Sequence, residues 1–171
     1  GGIGTGNGAA NTDGVVMLYS SIGSVNNPNP AGGSYNKGRT ATHEVGHWLG
    51  LRHIWGDGGC GVDDYCNDTP TSDAANYGCP SGHTSCGSVD MIENYMDYTD
   101  DDCMNIYTVD QKARMRIVMG ETGNGSPRRA ILASSGKCGT SGGGGGGGGT
   151  GLSCNFSVTN FPYREGFEFN F

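Results

Sequence analysis

The chain has 171 residues, a formal net charge of −7, 34% hydrophobic residues, 34 glycines and seven cysteines. The glycines follow no three-residue period, which excludes a collagen helix, and no apolar run approaches the ~18 residues of a transmembrane helix. The acidic balance and the lack of a Lys/Arg cluster argue against nucleic acid and anionic membrane as partners. The length suits one domain, or one domain plus a fragment. Seven cysteines predict disulfides and an oxidising, extracellular compartment, with one cysteine left over. The chain opens Gly1-Gly2-Ile3-Gly4 without a charged-then-apolar leader. That predicts a processed product or a piece of a longer protein.

Residues 1–14 read as a polar loop, and the apolar run Val15–Tyr19 as a short strand. A turn-rich loop follows around Asn27-Pro28-Asn29-Pro30. Ala41, Val45, Trp48 and Leu49 recur at helical spacing, so a helix is predicted over 39–49, with Gly50 as its left-handed stop. Residues 51–107 are irregular and rich in Asp, Gly, Cys and Asn, a length that needs disulfides or bound metal to order it. Thr108-Val109-Asp110-Gln111 carries a capping-box pattern and predicts a second helix, with Ala113, Met115, Val118 and Met119 on its apolar stripe and Gly120 as its stop. The eight glycines from Gly142 to Gly149 read as a linker. The aromatic stretch from Leu152 to Phe171 reads as the first strands of a β-domain too short to close a core.

The chemistry concentrates in His43-Glu44-Val45-Gly46-His47-Trp48-Leu49-Gly50-Leu51-Arg52-His53. His43 and His47, four apart on a helix, project from one face and can share one Zn²⁺. Glu44 sits beside the first ligand without being one. Gly50 lets the chain turn back to deliver His53 as a third ligand, which leaves a coordination position open, as in catalytic zinc sites. This eleven-residue pattern is the metzincin signature, and that signature calls for a Met-turn downstream. Met96, within Asn94-Tyr95-Met96-Asp97-Tyr98, fits that role after the eleven-residue motif, although taken alone it reads as a core methionine rather than the floor of a zinc site. Asp63, Asp64, Asn67, Asp68 and Thr69 make an oxygen-rich stretch that suits either Ca²⁺ or a plain acidic turn. Asp100-Asp101-Asp102 reads by itself as a solvated acidic loop, and His83 as structural or exposed.

With Cys60, Asp68-Thr69-Pro70, Cys79-Pro80, Cys86 and Cys103-Met104 added, the chain resembles the pappalysin family of metzincin zinc proteases over residues 13–119. The resemblance implies an α+β metzincin-like fold with an active-site helix, an irregular disulfide-bonded subdomain, a Met-turn and a C-terminal helix. It implies zinc on His43, His47 and His53, Glu44 as general base and acid, and Met96 beneath the metal. Tyr98 is implied as an oxyanion partner. The strand at Val15–Tyr19 is implied as the cleft rim against which an extended peptide or protein substrate pairs. It further implies Asp102 at the base of the pocket for the residue after the scissile bond, hence cleavage before Arg or Lys, and structural Ca²⁺ at Asp63, Asp64, Asn67 and Thr69. The implied disulfides are Cys60–Cys86 and Cys79–Cys103, leaving Cys66 to pair with Cys138 and Cys154 without a partner.

The expected organisation is therefore a partial catalytic domain over 1–138 lacking its N-terminal part, a linker over 139–151, and a truncated β-domain over 152–171. The expected function is a secreted zinc endopeptidase. A rival of another class is a secreted, calcium-stabilised binding module with a relic zinc site. The intact Glu44 speaks against it, because a relic tolerates loss of that residue.

Overall fold

The computed structural model describes residues 14–119. The stretches expected as a linker, 139–151, and as a β-domain, 152–171, together with Gly120, Cys138 and Cys154, lie outside the described residues. A 3₁₀ turn at Tyr19–Ser21 leads to helix α1, Arg39–Trp48; a two-residue hairpin, β1 Thr84–Ser85 and β2 Ser88–Val89, and helix α2, Val109–Val118, complete the regular elements. The two strands are antiparallel, with Thr84 opposite Val89 and Ser85 opposite Ser88. The architecture is α+β with one small sheet, and loops make up most of it.

Helix α1 ends as its sequence requires. Gly50 takes φ +91°, the Gly50 N–H donates to the His47 carbonyl, and the Leu51 N–H donates to the Gly46 carbonyl, each at 2.9 Å. These paired bonds are a Schellman stop. At the other end the N-cap is Gly38, which has no side chain to offer. Asp101 replaces it from across the fold: its Oδ2 accepts from the Lys37 N–H at 2.7 Å and the Arg39 N–H at 3.2 Å. Helix α2 carries the full capping box between Thr108 and Gln111.

One sequence expectation is overturned. Val15–Tyr19 is not a strand: residues 15–18 have no ladder partner among the described residues, and the Ser21 N–H closes a turn on the Leu18 carbonyl at 3.1 Å. A strand exists only through pairing and a buried face, and here Val16 is 90% and Leu18 77% exposed.

The apolar core is small: Leu51, Ile54, Trp55 and Met96, flanked by Ala75, Met91, Tyr98, Tyr107 and Met115. Around it the interior is polar and hydrogen-bonded, as buried polar groups must be. Cys60 is bonded to Cys86 and Cys79 to Cys103, with Cα–Cα separations of 5.4 and 5.9 Å. These cross-links close the long loops. Cys66 is buried and unbridged among the described residues; burial, then the nearby Asp64, push its thiol up to about 12.

Candidate metal centre

Helix α1 presents His43 and His47 on one face, and the Schellman stop turns the chain so that His53 meets them. One ring nitrogen from each of the three lies within 4.8 Å of the others, the one such group among the described residues. Each ring is held at its far nitrogen. His43 Nδ1 bonds the Tyr95 carbonyl at 2.6 Å, His47 Nδ1 bonds the Leu51 carbonyl at 3.0 Å, and His53 Nδ1 bonds the Asp57 carboxylate. An acceptor at Nδ1 keeps the proton there and leaves the Nε2 lone pair free. His47 Nε2 and His53 Nε2 then face each other at 3.0 Å. Two lone pairs at that distance repel unless a cation lies between them.

The electrostatics point the same way. Burial first, and His47 second, push His43 down to about 4. Burial also lowers His53, against the pull of Asp57. His43 is therefore neutral at pH 7, the form that ligates metal. Three convergent imidazoles fit Zn²⁺.

Met96 is fully buried in the apolar core. It sits against Gly46: a Cβ built there would lie 2.5 Å from Met96 Sδ and 2.8 Å from Tyr107 Oη. Tyr107 cannot yield easily, since its hydroxyl donates to the Thr42 carbonyl at 2.5 Å. A glycine between the first two histidines thus lets the floor of the site approach the helix. The Tyr98 ring stands 5.5 Å from His43 and 4.9 Å from His53. Burial, then the charge of Asp57, raise its phenol and keep it a donor. The Tyr35 hydroxyl holds the Tyr98 carbonyl at 3.0 Å. Glu44 opens onto a groove of about 340 Å³, lined also by Met17, Leu18, Ser21, Tyr35 and Thr40.

The Asp102 side chain is 73% exposed and paired with Lys37. The buried member of the acidic run is Asp101, because capping α1 requires a carboxylate at the helix start. In the 63–69 stretch, Asp64 is buried and accepts from the Cys66 N–H and the Thr69 hydroxyl, both at 2.9 Å. Asp63 accepts from the Tyr65 N–H, Asp68 accepts from the Asp110 N–H, and the Asn67 N–H donates to Asp110. This loop is thereby docked on the first turn of α2. Burial raises the Asp64 carboxyl.

Sequence reasoning missed three residues around the site, Asp57, Asp101 and Asn76. Asp57 was read as loop and holds His53. Asp101 was read as solvated and caps α1. Asn76 donates its amide to both Asp90, at 3.1 Å, and Asp97, at 3.0 Å, behind Met96. His83 extends this chain to the surface through Asp90 at 3.0 Å. Only Asp57 left a signal, as the single charged residue in the glycine-rich turn after His53.

A family model described as pregnancy-associated plasma protein-A, peptidase family M43, matches residues 8–120. Extracellular metalloprotease 1 of Coccidioides posadasii is 49% identical over 105 residues, which is 60% of this chain and 36% of that protein. An extracellular metalloprotease of Colletotrichum graminicola is 45% identical over 115 residues, covering 65% and 40% of the two chains. Among solved structures, mature mirolysin of Tannerella forsythia in complex with a cleaved peptide superposes with a TM-score of 0.56 and 44% identity, over 64% of this chain and 43% of that one. The chain thus spans between 36% and 43% of the length of these three relatives. Among its described residues no helix is long and apolar enough to cross a membrane. With the matched segment carrying all three histidines and Glu44, the chain belongs to peptidase family M43.

Proposed function

We propose that the protein is a secreted zinc endopeptidase. The observation that carries this reading is the convergence of His43, His47 and His53, each turned by its own Nδ1 acceptor, beside a carboxylate that opens onto a groove. Bound there, Zn²⁺ supplies Lewis acidity and lowers the pKa of a water to about 7.

The chain's own groups supply the rest of the reading. Glu44 takes the proton of the attacking water and returns it to the leaving amine. Tyr98, kept protonated by burial, donates to the substrate carbonyl oxygen as charge develops on it. The exposed segment 15–17 offers backbone with no ladder partner among the described residues beside Glu44, which supports seating an extended peptide there by strand addition. Met96 serves as the apolar floor that fixes the height of the histidines. Extracellular placement is supported by the two disulfides and by the names of the fungal relatives.

Preference for Arg or Lys after the scissile bond belongs to the same proposal. What supports it is Asp102, whose exposed carboxylate already engages an ammonium group, that of Lys37. A structural Ca²⁺ at Asp63, Asp64, Asn67 and Thr69 is proposed as well. It is supported by the crowding of carboxylates and by a buried Asp64 that no cationic side chain neutralises directly.

The test is metal analysis joined to cleavage of a denatured protein. The reading expects bound zinc and cleavage that a chelator stops and added Zn²⁺ restores. Cleavage indifferent to chelation would reject it.

A further inference from the structure

Two of the three histidine rings are aimed by main-chain carbonyls, those of Tyr95 and Leu51. The third, His53, is aimed by a side chain, Asp57. The ring is also clamped on its face, stacked on Trp55 at 4.2 Å with 5° between the planes. Between them Trp55 sets the plane of the imidazole and Asp57 sets its rotation within that plane. The turn that carries Asp57 is pinned to the ligand itself: the Gly56 N–H donates to the His53 carbonyl at 2.9 Å, and the Gly58 and Gly59 N–H groups reach the Trp55 carbonyl at 3.3 and 3.2 Å.

The backbone adds a second observation. Asp57 stands at φ +63°, in the left-handed region, between Gly56 at +63° and Gly59 at +78°. Glycine adopts that conformation freely and any side chain is disfavoured there. A run of glycine interrupted by one strained residue, whose carboxylate lands on a ligand's Nδ1, is the pattern of local strain kept at a working site.

We propose that Asp57 is a positioning residue for the metal centre: its carboxylate fixes the Nδ1–H tautomer of His53, aims Nε2 inward and makes that nitrogen a stronger donor to the metal. A carboxylate behind a ligating imidazole raises its basicity, and losing such a partner weakens metal binding by about 10–100-fold. Asp57 also sets a carboxylate directly behind one ligand of the site that would take a divalent cation. The inference rests on the zinc reading above.

The test is the Zn²⁺ dissociation constant of the intact protein, measured by competition with a chromophoric chelator, for wild type, Asp57→Asn, Asp57→Ala and Asp57→Gly. Denaturant unfolding of each metal-free form and nitrogen NMR of the His53 ring accompany it. Asp57→Gly separates positioning from structure, because glycine relieves the backbone while removing the carboxylate. The expected result is weaker zinc binding by about 10–100-fold in Asp57→Ala and Asp57→Gly, an intermediate loss in Asp57→Asn, and a metal-free Asp57→Gly protein at least as stable as wild type. The His53 ring should also lose its single tautomer. Wild-type zinc affinity in Asp57→Gly overturns the proposal. So does a loss of affinity matched by unfolding of the metal-free protein, which makes Asp57 merely structural. Asp57→Asn binding as tightly as wild type removes the charge and overturns the donor-strength part. If wild type itself binds no zinc, the failure belongs to the zinc reading instead.

Discussion

Asn94 and Gln111 exchange both amide hydrogen bonds inside the protein, Asn94 Nδ2 to Gln111 Oε1 at 2.9 Å and Gln111 Nε2 to Asn94 Oδ1 at 3.1 Å. Both are fully buried. Each also serves its own segment. Asn94 Oδ1 accepts from the Met96 N–H at 2.9 Å, and Gln111 Oε1 accepts from the Thr108 N–H at 3.0 Å. One amide pair therefore couples the cap of α2 to the turn that carries Met96.

Gln111→Ala should lower stability by about 2–4 kcal/mol, adding ~1 for half of a capping box to ~1–3 for the buried Asn94 amide left unpaired. Urea unfolding of the variant checks this. A transition at the wild-type midpoint would mean that water replaces the glutamine without loss.

The helices were legible in the sequence because their signals are local. Apolar spacing, Gly50 and the Thr108–Gln111 box each act within a few residues. The three histidines were legible for the same reason. What escaped was set by contacts between distant segments: Asp101 capping α1 across more than 60 residues, and Asn76 bridging two aspartates behind Met96. No periodicity marks such pairs. The run Val15–Tyr19 misled for the converse reason, since apolar composition describes a strand but pairing makes one. Within the acidic run the buried carboxylate is Asp101, set by its bonds to the start of α1, and nothing local distinguishes it from Asp100 and Asp102.

Asp90 predicts an acid dependence of stability. Burial alone would raise its carboxyl, but hydrogen bonds from Ser85, Asn76 and His83 outweigh burial and hold it below the usual range. The folded state therefore releases this proton more readily than the unfolded chain, whose aspartates titrate near pH 3.9. The stabilisation is fully present above about pH 4–5 and is lost as pH falls through the lowered folded value. The difference in unfolding free energy between metal-free wild type and Asp90→Asn should be constant near neutrality and narrow below about pH 4. A difference that stays constant through acid would show that Asp90 is not linked to folding in this way.

The proposed Ca²⁺ predicts a stability effect separable from zinc. Without a cation, Asp63 and Asp64 repel each other, and Arg114 and the hydrogen bonds from Cys66 and Thr69 offset the burial of Asp64 only in part. A calcium-selective chelator should lower the thermal midpoint, and added Ca²⁺ should restore it. Identical melting with and without calcium would leave the 63–69 stretch a plain acidic turn.

The specificity proposal predicts that new N-termini from a peptide library begin with Arg or Lys. Charge pairing at the exposed Asp102 carboxylate should favour these over Leu by about 2–5-fold in kcat/KM, the range of a solvent-exposed ion pair. Asp102→Ala should reduce that preference. Enrichment that survives the substitution would move the role to another carboxylate, and no enrichment would remove the preference itself.

The central claim is hydrolysis at the three-histidine site with Glu44 as the proton carrier. The direct measurement is zinc content and peptide turnover of Glu44→Gln beside wild type in the intact protein. Glu44→Gln should keep its zinc and lose about 10²–10⁴-fold in kcat, the range carried by a general acid–base group. Zinc-loaded Glu44→Gln protein that cleaves at the wild-type rate would contradict the account.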